Sequence, residues 1–140
     1  MYSRKRHWPY EFEHQALLEH INFYLEIFIN ADKLNLKVGE LRLLFILLEE
    51  QRTEKLDSVI IYNLKQKFPK IKFELRSDTE KSNTYYSHLR FQIFAKDTSG
   101  YEYLLTDGGF TNWTQKLLSN KKERLLTSGI GSERLCVCFI

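Results

Sequence analysis

The chain has 140 residues, enough for one domain with a hydrophobic core, and 43% of them are hydrophobic, which excludes intrinsic disorder. Its net charge of +3 is too small for a dedicated nucleic-acid-binding protein. The longest apolar run, Leu43 to Leu48, is far too short to span a membrane, and no signal-peptide pattern follows the basic start. We therefore expect a single soluble domain over residues 1–140, located in the cytoplasm and without a membrane partner.

The first half of the chain predicts three helices. Apolar residues recur at helical spacing in the segments 10–30, 36–51 and the stretch that ends before Pro69. The third helix begins at a cap, either Thr53 or, if it is shorter, Asp57. The second is expected to be the most buried, because extra leucines widen its apolar stripe.

Near residue 70 the apolar period changes to two, which predicts strands. The segments 71–75, 89–96 and 101–105 alternate in this way, and Asp97–Gly100 has the composition of a hairpin turn between the last two. Asp107–Gly109 is predicted to be another turn. The expected fold class is therefore α+β, with an antiparallel sheet over 70–140 packed against the helical part, 10–69.

The end of the chain predicts three short elements. Thr111 or Asn112 can cap a short helix, and Leu125–Ile130 reads as a strand that glycines interrupt. The segment Leu135–Ile140 fits either a strand or the first turns of a helix.

The cysteines and histidines predict neither a disulfide nor a metal site. Cys136 and Cys138 are too close in sequence for comfortable disulfide geometry, and we expect both to be reduced and buried. His14 and His20 are six residues apart, so one helix face does not present both to a metal, and a core or surface role is expected.

Four segments in the second half combine residues suited to ligand binding. Glycines at alternate strand positions expose backbone, which allows a flat ring to approach closely, and the planar guanidinium of Arg134 can pair with a phosphate. Each segment alone also fits an ordinary strand, turn or surface pair. The segments are Asn83–Ser87, Asp107–Asn112, Ser128–Gly131 and Ser132–Leu135. The candidate ligand-binding residues within them are Tyr85, Tyr86, Gly108, Gly109, Gly129, Gly131 and Arg134.

In this order the segments resemble the second half of the catalytic domain of histidyl-tRNA synthetases, which are class II aminoacyl-tRNA synthetases. Tyr85-Tyr86-Ser87 resembles the Tyr-Tyr-Thr element of that family, and Gly108-Gly109 resembles its double glycine. The run Gly129–Leu135 resembles the third class II motif, Gly-x-Gly-x-Glu-Arg-Leu. The resemblance covers about residues 70–140 and implies a class II synthetase-like fold, with ATP as the candidate cofactor.

The sequence also departs from the family at positions that matter for catalysis. Lys81–Thr84 stands where the family has Arg-Gly-Leu-Asp, and Phe110–Asn112 replaces its Arg-Tyr-Asp. No counterpart of the first two class II motifs is visible. Because adenylate formation needs preorganised positive groups at the α-phosphate, we expect no catalytic residues and no complete enzyme.

The favoured function is therefore a degenerate, non-catalytic synthetase-like domain with a regulatory or partner-binding role. It is similar in this respect to the regulatory subunit of ATP phosphoribosyltransferase, a family that keeps the fold without synthetase activity. One alternative is the ATP- and histidine-binding portion of a histidine-tRNA ligase-like enzyme that another chain completes. The other is an unrelated interaction module, such as an immunity or accessory protein. The expected partners are a protein or a second copy of the chain, with a nucleotide or tRNA as further candidates.

Overall fold

The computed structural model describes six parts of the chain, with the backbone alone at residues 2–5, 11–12 and 124. These parts are residues 2–5, 11–48, 60–78, 86, 89–120 and 124–140. The predicted caps Thr53 and Asp57 and the candidate Tyr85 lie outside the described residues.

The described residues form a six-stranded sheet with the strand order β1-β6-β5-β4-β2-β3. All neighbouring strands are antiparallel except β2 and β3, which run parallel, so the predicted antiparallel sheet contains one parallel pair. The crossover between β2 and β3 includes the short helix α2, Tyr62–Lys67, as a parallel connection requires. The strands are β1 Tyr2–Lys5, β2 Leu41–Leu47, β3 Lys72–Ser77, β4 Leu89–Lys96, β5 Glu102–Thr111 and β6 Arg124–Ile130.

Helix α1, Glu11–Ile29, covers one face of this sheet and confirms the first predicted helix. Its apolar stripe of Leu17, Ile21, Leu25 and Phe28 is buried against side chains of the central strands. A 3₁₀ turn, Ala31–Leu34, ends this unit, and the chain then enters β2.

The prediction of a second helix over 36–51 is wrong, because this segment contains β2. Leu43, Phe45 and Leu47 join the core beneath α1, whereas Leu44 and Ile46 belong to a smaller apolar cluster on the other face. A central strand buried on both faces is apolar throughout, so its period of two is hidden. The apolar residues at six of the seven positions of β2 then match a helical stripe as well as they match a strand.

The prediction of a turn at Asp107–Gly109 is also wrong, because these residues lie inside β5. They pair with Arg90, Phe91 and Gln92 of β4 on one side and with β6 on the other. Asp-Gly-Gly has the composition of a turn, but here the glycines accommodate bulky neighbours rather than a reversal of the chain.

The hairpin at Asp97–Gly100 is confirmed. Oδ1 of Asp97 accepts hydrogen bonds from the backbone nitrogens of Ser99 and Tyr101, and Gly100 has φ of +86°. The short helix after β5 is also present as α3, Trp113–Leu117, with Asn112 at its N-cap.

The C-terminal segment resolves to a helix, α4, Ser132–Cys138, rather than a strand. Leu135 and Phe139 anchor it in the core. The expectation of two buried cysteines is wrong, since Cys136 is exposed and Cys138 is half-buried, although both are free thiols. A seven-residue helix at the surface buries only one side, which leaves Cys136 facing outward. Among the described helices, none is both long enough and apolar enough to cross a membrane.

Candidate functional site

The sheet face opposite α1, called here the open face, carries a cleft between β5, β6 and α4. Its volume is about 720 Å³, within the range of small-molecule sites. We call it the open-face cleft. Its lining residues are Tyr86, Leu104, Leu105, Thr106, Asp107, Gly129, Ile130, Gly131, Glu133, Arg134, Val137 and Cys138. Four of the residues predicted from the sequence, Tyr86, Gly129, Gly131 and Arg134, are therefore brought together.

Gly129 leaves a bare stretch of backbone on the floor of this cleft. It lies opposite Asp107 in the β5–β6 pair, is exposed, and has no heavy atom within 4 Å of the position that a Cβ would take. A flat group can therefore approach the main chain at this point without displacing a side chain.

Gly109 supports the cleft indirectly, because it makes room for the ring of Tyr86. A Cβ at Gly109 would lie 2.6 Å from Cδ1 of Tyr86 and 2.6 Å from the Leu89 carbonyl oxygen. The tyrosine ring can thus lie directly over the strand, where it also packs against Leu44 and its neighbours on the open face.

Gly108 does not belong to the cleft, although the sequence grouped it with Gly129. A Cβ there would lie 2.6 Å from the Phe91 ring and 2.7 Å from Cβ of Ser128. Phe91 is fully buried beneath α1, so Gly108 faces the core and Gly129 faces the opposite side. Because side chains alternate along a strand, the two adjacent glycines of the doublet serve different faces.

Arg134 lies at the rim of the cleft, where its position is partly fixed by the main chain. Its Nη1 donates a hydrogen bond of 2.6 Å to the carbonyl oxygen of Leu104, and the nitrogen of Gly131 donates to the next carbonyl, that of Leu105. The register of β4 and β5 shifts between Ile93 and Phe94, opposite these carbonyls. A bulge of this kind redirects backbone groups, and here α4 begins against it.

A second arginine of the open face, Arg90, is paired within the protein. Its Nε and Nη2 donate to the two carboxylate oxygens of Asp107 at 2.9 and 2.5 Å. The bond to Asp107 raises the pKa of Arg90, and its guanidinium also lies 5.3 Å from the centre of the Tyr86 ring. The charge of Arg90 is therefore balanced by Asp107, a lining residue of the cleft.

A third arginine, Arg42 of β2, links three strands at the other end of the same face. It donates to both oxygens of Glu102 at 3.1 and 2.6 Å and to Glu74 at 2.9 Å, and it lies 4.1 Å from the centre of the Phe94 ring. The hydrogen bond from Arg42 lowers the pKa of Glu102. Two carboxylates therefore surround this one guanidinium.

Behind the cleft, a polar cluster joins α1 to β6 on the covered face. Nδ1 of His20 lies 2.8 Å from Oγ of Ser128, and the Tyr24 hydroxyl lies 2.9 Å from the same oxygen. Burial lowers the pKa of His20 to about 4, so the imidazole is neutral at pH 7. His20 therefore has a core role, one of the two roles expected from the sequence. In the described part of the chain, no group of three or more His, Cys, Asp or Glu residues is arranged to hold a metal ion.

Sequence reasoning missed the arginine–carboxylate pairs that dominate the open face. Arg90 and Asp107 are 17 residues apart, and their pairing requires Asp107 to be in a strand rather than a turn. The pairing of Arg42 with Glu74 and Glu102 was missed because residues 36–51 were predicted to form a helix. The alternation of Arg90 and Gln92 with apolar residues was the available signal that one face of β4 is partly polar.

The structure is similar to a crystal structure of apo histidyl-tRNA synthetase from S. aureus, with a TM-score of 0.62 and 15% sequence identity. The match covers 98% of this chain and 37% of the synthetase chain. No family model matches the sequence, and no curated protein matches it. The similarity confirms the predicted α+β class and the class II synthetase-like fold. The chain corresponds to little more than a third of the synthetase in length.

Proposed function

We propose that the chain is a non-catalytic, synthetase-like domain that binds a ligand in the open-face cleft and acts in regulation or in binding a partner chain. The proposal rests mainly on one observation, the neutralisation of arginines on the open face. Arg90 is paired with Asp107 and Arg42 with Glu74 and Glu102. A retained fold with balanced charge is what a binding domain without adenylating activity would have.

The charge balance bears directly on catalysis. An adenylating site must hold preorganised cations where negative charge develops on the α-phosphate. On the open face, the described arginines Arg42 and Arg90 donate to carboxylates, and Arg134 donates to a backbone carbonyl. Releasing Arg90 for a phosphate would leave Asp107 uncompensated beside the bound anion, which is unfavourable. The same geometry is compatible with a ligand that carries little charge near Asp107.

The test separates binding from catalysis. We expect isothermal titration to detect binding of ATP or histidine, and we expect no histidine-dependent exchange of pyrophosphate into ATP. Gly129→Leu should abolish binding because its side chain covers the bare backbone of the cleft floor, while the fold is kept because no heavy atom lies within 4 Å of the added Cβ and the position is exposed. Ser77→Leu, on an exposed position of β3, is the matched control and should bind as the parent does.

Measurable pyrophosphate exchange by the isolated chain would contradict the non-catalytic assignment. If neither ATP nor histidine binds, the part of the proposal that concerns a small ligand is refuted. Binding that Gly129→Leu leaves unchanged would place the ligand outside the cleft.

A second candidate function is the nucleotide-binding portion of a ligase that another chain completes. It is favoured by Arg134, which matches the third class II motif and lies at the cleft rim with its side chain exposed. On this hypothesis, ATP binding is lost in Arg134→Ala and retained in Arg76→Ala, an exposed arginine on β3. Equal ATP affinity in the two variants would exclude a phosphate role for Arg134.

A further inference from the structure

Apart from the open-face cleft, a second candidate binding surface lies where α3 adjoins the paired ends of β1 and β6. This region is called here the α3 corner. Three large apolar side chains on or next to this short helix are exposed: Trp113 by 57%, Leu117 by 68% and Leu118 by 50%. Leaving such side chains in water is unfavourable, and clustered exposed apolar residues commonly mark a docking surface.

The sheet register brings two basic segments of the sequence together at this corner. Lys5 of β1 lies opposite Arg124 of β6, and Arg4 lies opposite Leu125. Leu125 also pairs with Thr111, the last residue of β5 before α3, so the strand ends adjoin the helix. The backbones of two basic segments, more than a hundred residues apart in sequence, therefore meet at the strand ends that adjoin α3.

Charge is segregated toward this corner. The described residues 2–5, 112–120 and 124 contain four basic residues and no acidic residue, and Lys116 lies on α3 itself. The described chain at this corner therefore contributes positive charge only, which favours an anionic partner.

We propose that the α3 corner docks on an anionic lipid surface. Tryptophan and leucine next to lysine and arginine are the composition of interfacial membrane contacts, in which apolar side chains enter the acyl boundary and cations meet phosphates. Leucine side chains neither stack on bases nor form hydrogen bonds, so Leu117 and Leu118 would contribute little to nucleic-acid binding. Because they are exposed by half or more, the described part of the chain forms no groove wall over them, which distinguishes the corner from a peptide-binding cleft. The contact is peripheral and differs from our sequence-based expectation of no membrane partner.

Vesicle co-flotation with the full chain tests the proposal. We expect binding to vesicles of equal parts phosphatidylcholine and phosphatidylserine, little binding to phosphatidylcholine alone, and a loss of binding at high salt. In a Trp8→Phe background, Trp113 is the single tryptophan, and its emission should shift to the blue when the vesicles bind.

Variants separate the apolar and the electrostatic contributions. The pair Leu117→Ser with Leu118→Ser should weaken partitioning by about tenfold or more, and Lys116→Gln by roughly fivefold. Leu34→Ser and Lys33→Gln, exposed positions on the 3₁₀ turn, are the matched controls and should not change binding.

Three results would overturn the proposal: equal binding to neutral vesicles, no shift in Trp113 emission, or full binding by the double serine variant. Soluble polyglutamate that binds with the same dependence on Leu117 would also overturn it and indicate an acidic protein partner. Because the substituted side chains of α3 and of the 3₁₀ turn are exposed, thermal unfolding of these variants is expected to match that of their parent, which separates lost docking from lost folding.

Discussion

At the residue scale, the two adjacent glycines of β5 make room for different side chains on opposite faces of the sheet, a difference that the sequence does not reveal. Gly108 admits the Phe91 ring and Ser128 on the covered face, and Gly109 admits Tyr86 on the open face. Gly129, the penultimate residue of β6, has open space instead. Three glycines that look equivalent as ligand contacts therefore separate into two packing positions and one exposed position.

This difference predicts unequal costs for the same substitution. Gly108→Ala places a methyl group 2.6 Å from the buried Phe91 ring and should lower the free energy of unfolding by about 1–3 kcal/mol. The methyl group of Gly129→Ala has no heavy atom within 4 Å, so this variant should change the free energy of unfolding by less than about 0.5 kcal/mol. Urea unfolding of both variants measures the difference. Similar losses at the two positions would show that the assignment of the two glycines to opposite faces is wrong.

At the element scale, the hairpin between β4 and β5 depends on backbone conformation more than on packing. Gly100 has φ of +86°, in the region that residues with a side chain rarely adopt, and no atom lies near the site of a Cβ. The requirement for glycine at this turn is therefore conformational.

Gly100→Ala should accordingly lower the free energy of unfolding by about 1 kcal/mol, the typical cost of a left-handed residue with a Cβ. Gly100→Asn should cost less, because asparagine tolerates this conformation better than alanine. Chemical unfolding of the two variants gives the comparison. If alanine and asparagine were equally tolerated, the positive φ would not be what limits this turn.

At the scale of the whole molecule, the sequence predicted most elements but misplaced the centre of the sheet. Helix α1 and strand β4 have one apolar face each, so their periods are visible. Strand β2 also has apolar residues on its open side, where Leu44 and Ile46 form a second cluster with Leu48, and this hides its period of two. The position of β2 beside β4 is a long-range pairing that no local pattern contains.

The candidate site was predictable to a similar degree. The resemblance of residues 129–135 to the third class II motif predicted Gly129, Gly131 and Arg134 as neighbours in one site, and all three line the open-face cleft. The pairing of Arg90 with Asp107 was not predictable, because it depends on which residues alternation places on the open face and on the register of β4 with β5. The sequence therefore predicted which residue types could line the site. The neutralisation of Arg90 by Asp107 could be recognised only once the strand pairing was known.

The covered face makes the stability of the whole domain sensitive to pH through His20. This histidine is fully buried between α1 and β6, and burial lowers its pKa from 6.5 to about 4. The folded state therefore keeps the imidazole neutral where the unfolded chain already binds a proton. Since the unfolded state takes up the extra proton, the free energy of unfolding should be highest above pH 6.5 and fall as the pH is lowered toward 4, by about 3 kcal/mol in total.

His20→Gln provides the comparison, since glutamine does not titrate. The variant should be less stable than the parent at pH 7, because it disturbs the contact with Ser128, but its stability should vary less between pH 6.5 and 4. Urea unfolding at several pH values measures how the free energy of unfolding of each protein changes with pH. The contributions of the carboxylates, which both proteins share, cancel when the two are subtracted. Parallel curves for the two proteins would mean that His20 has the same pKa in the folded and unfolded states, contrary to the effect of its burial.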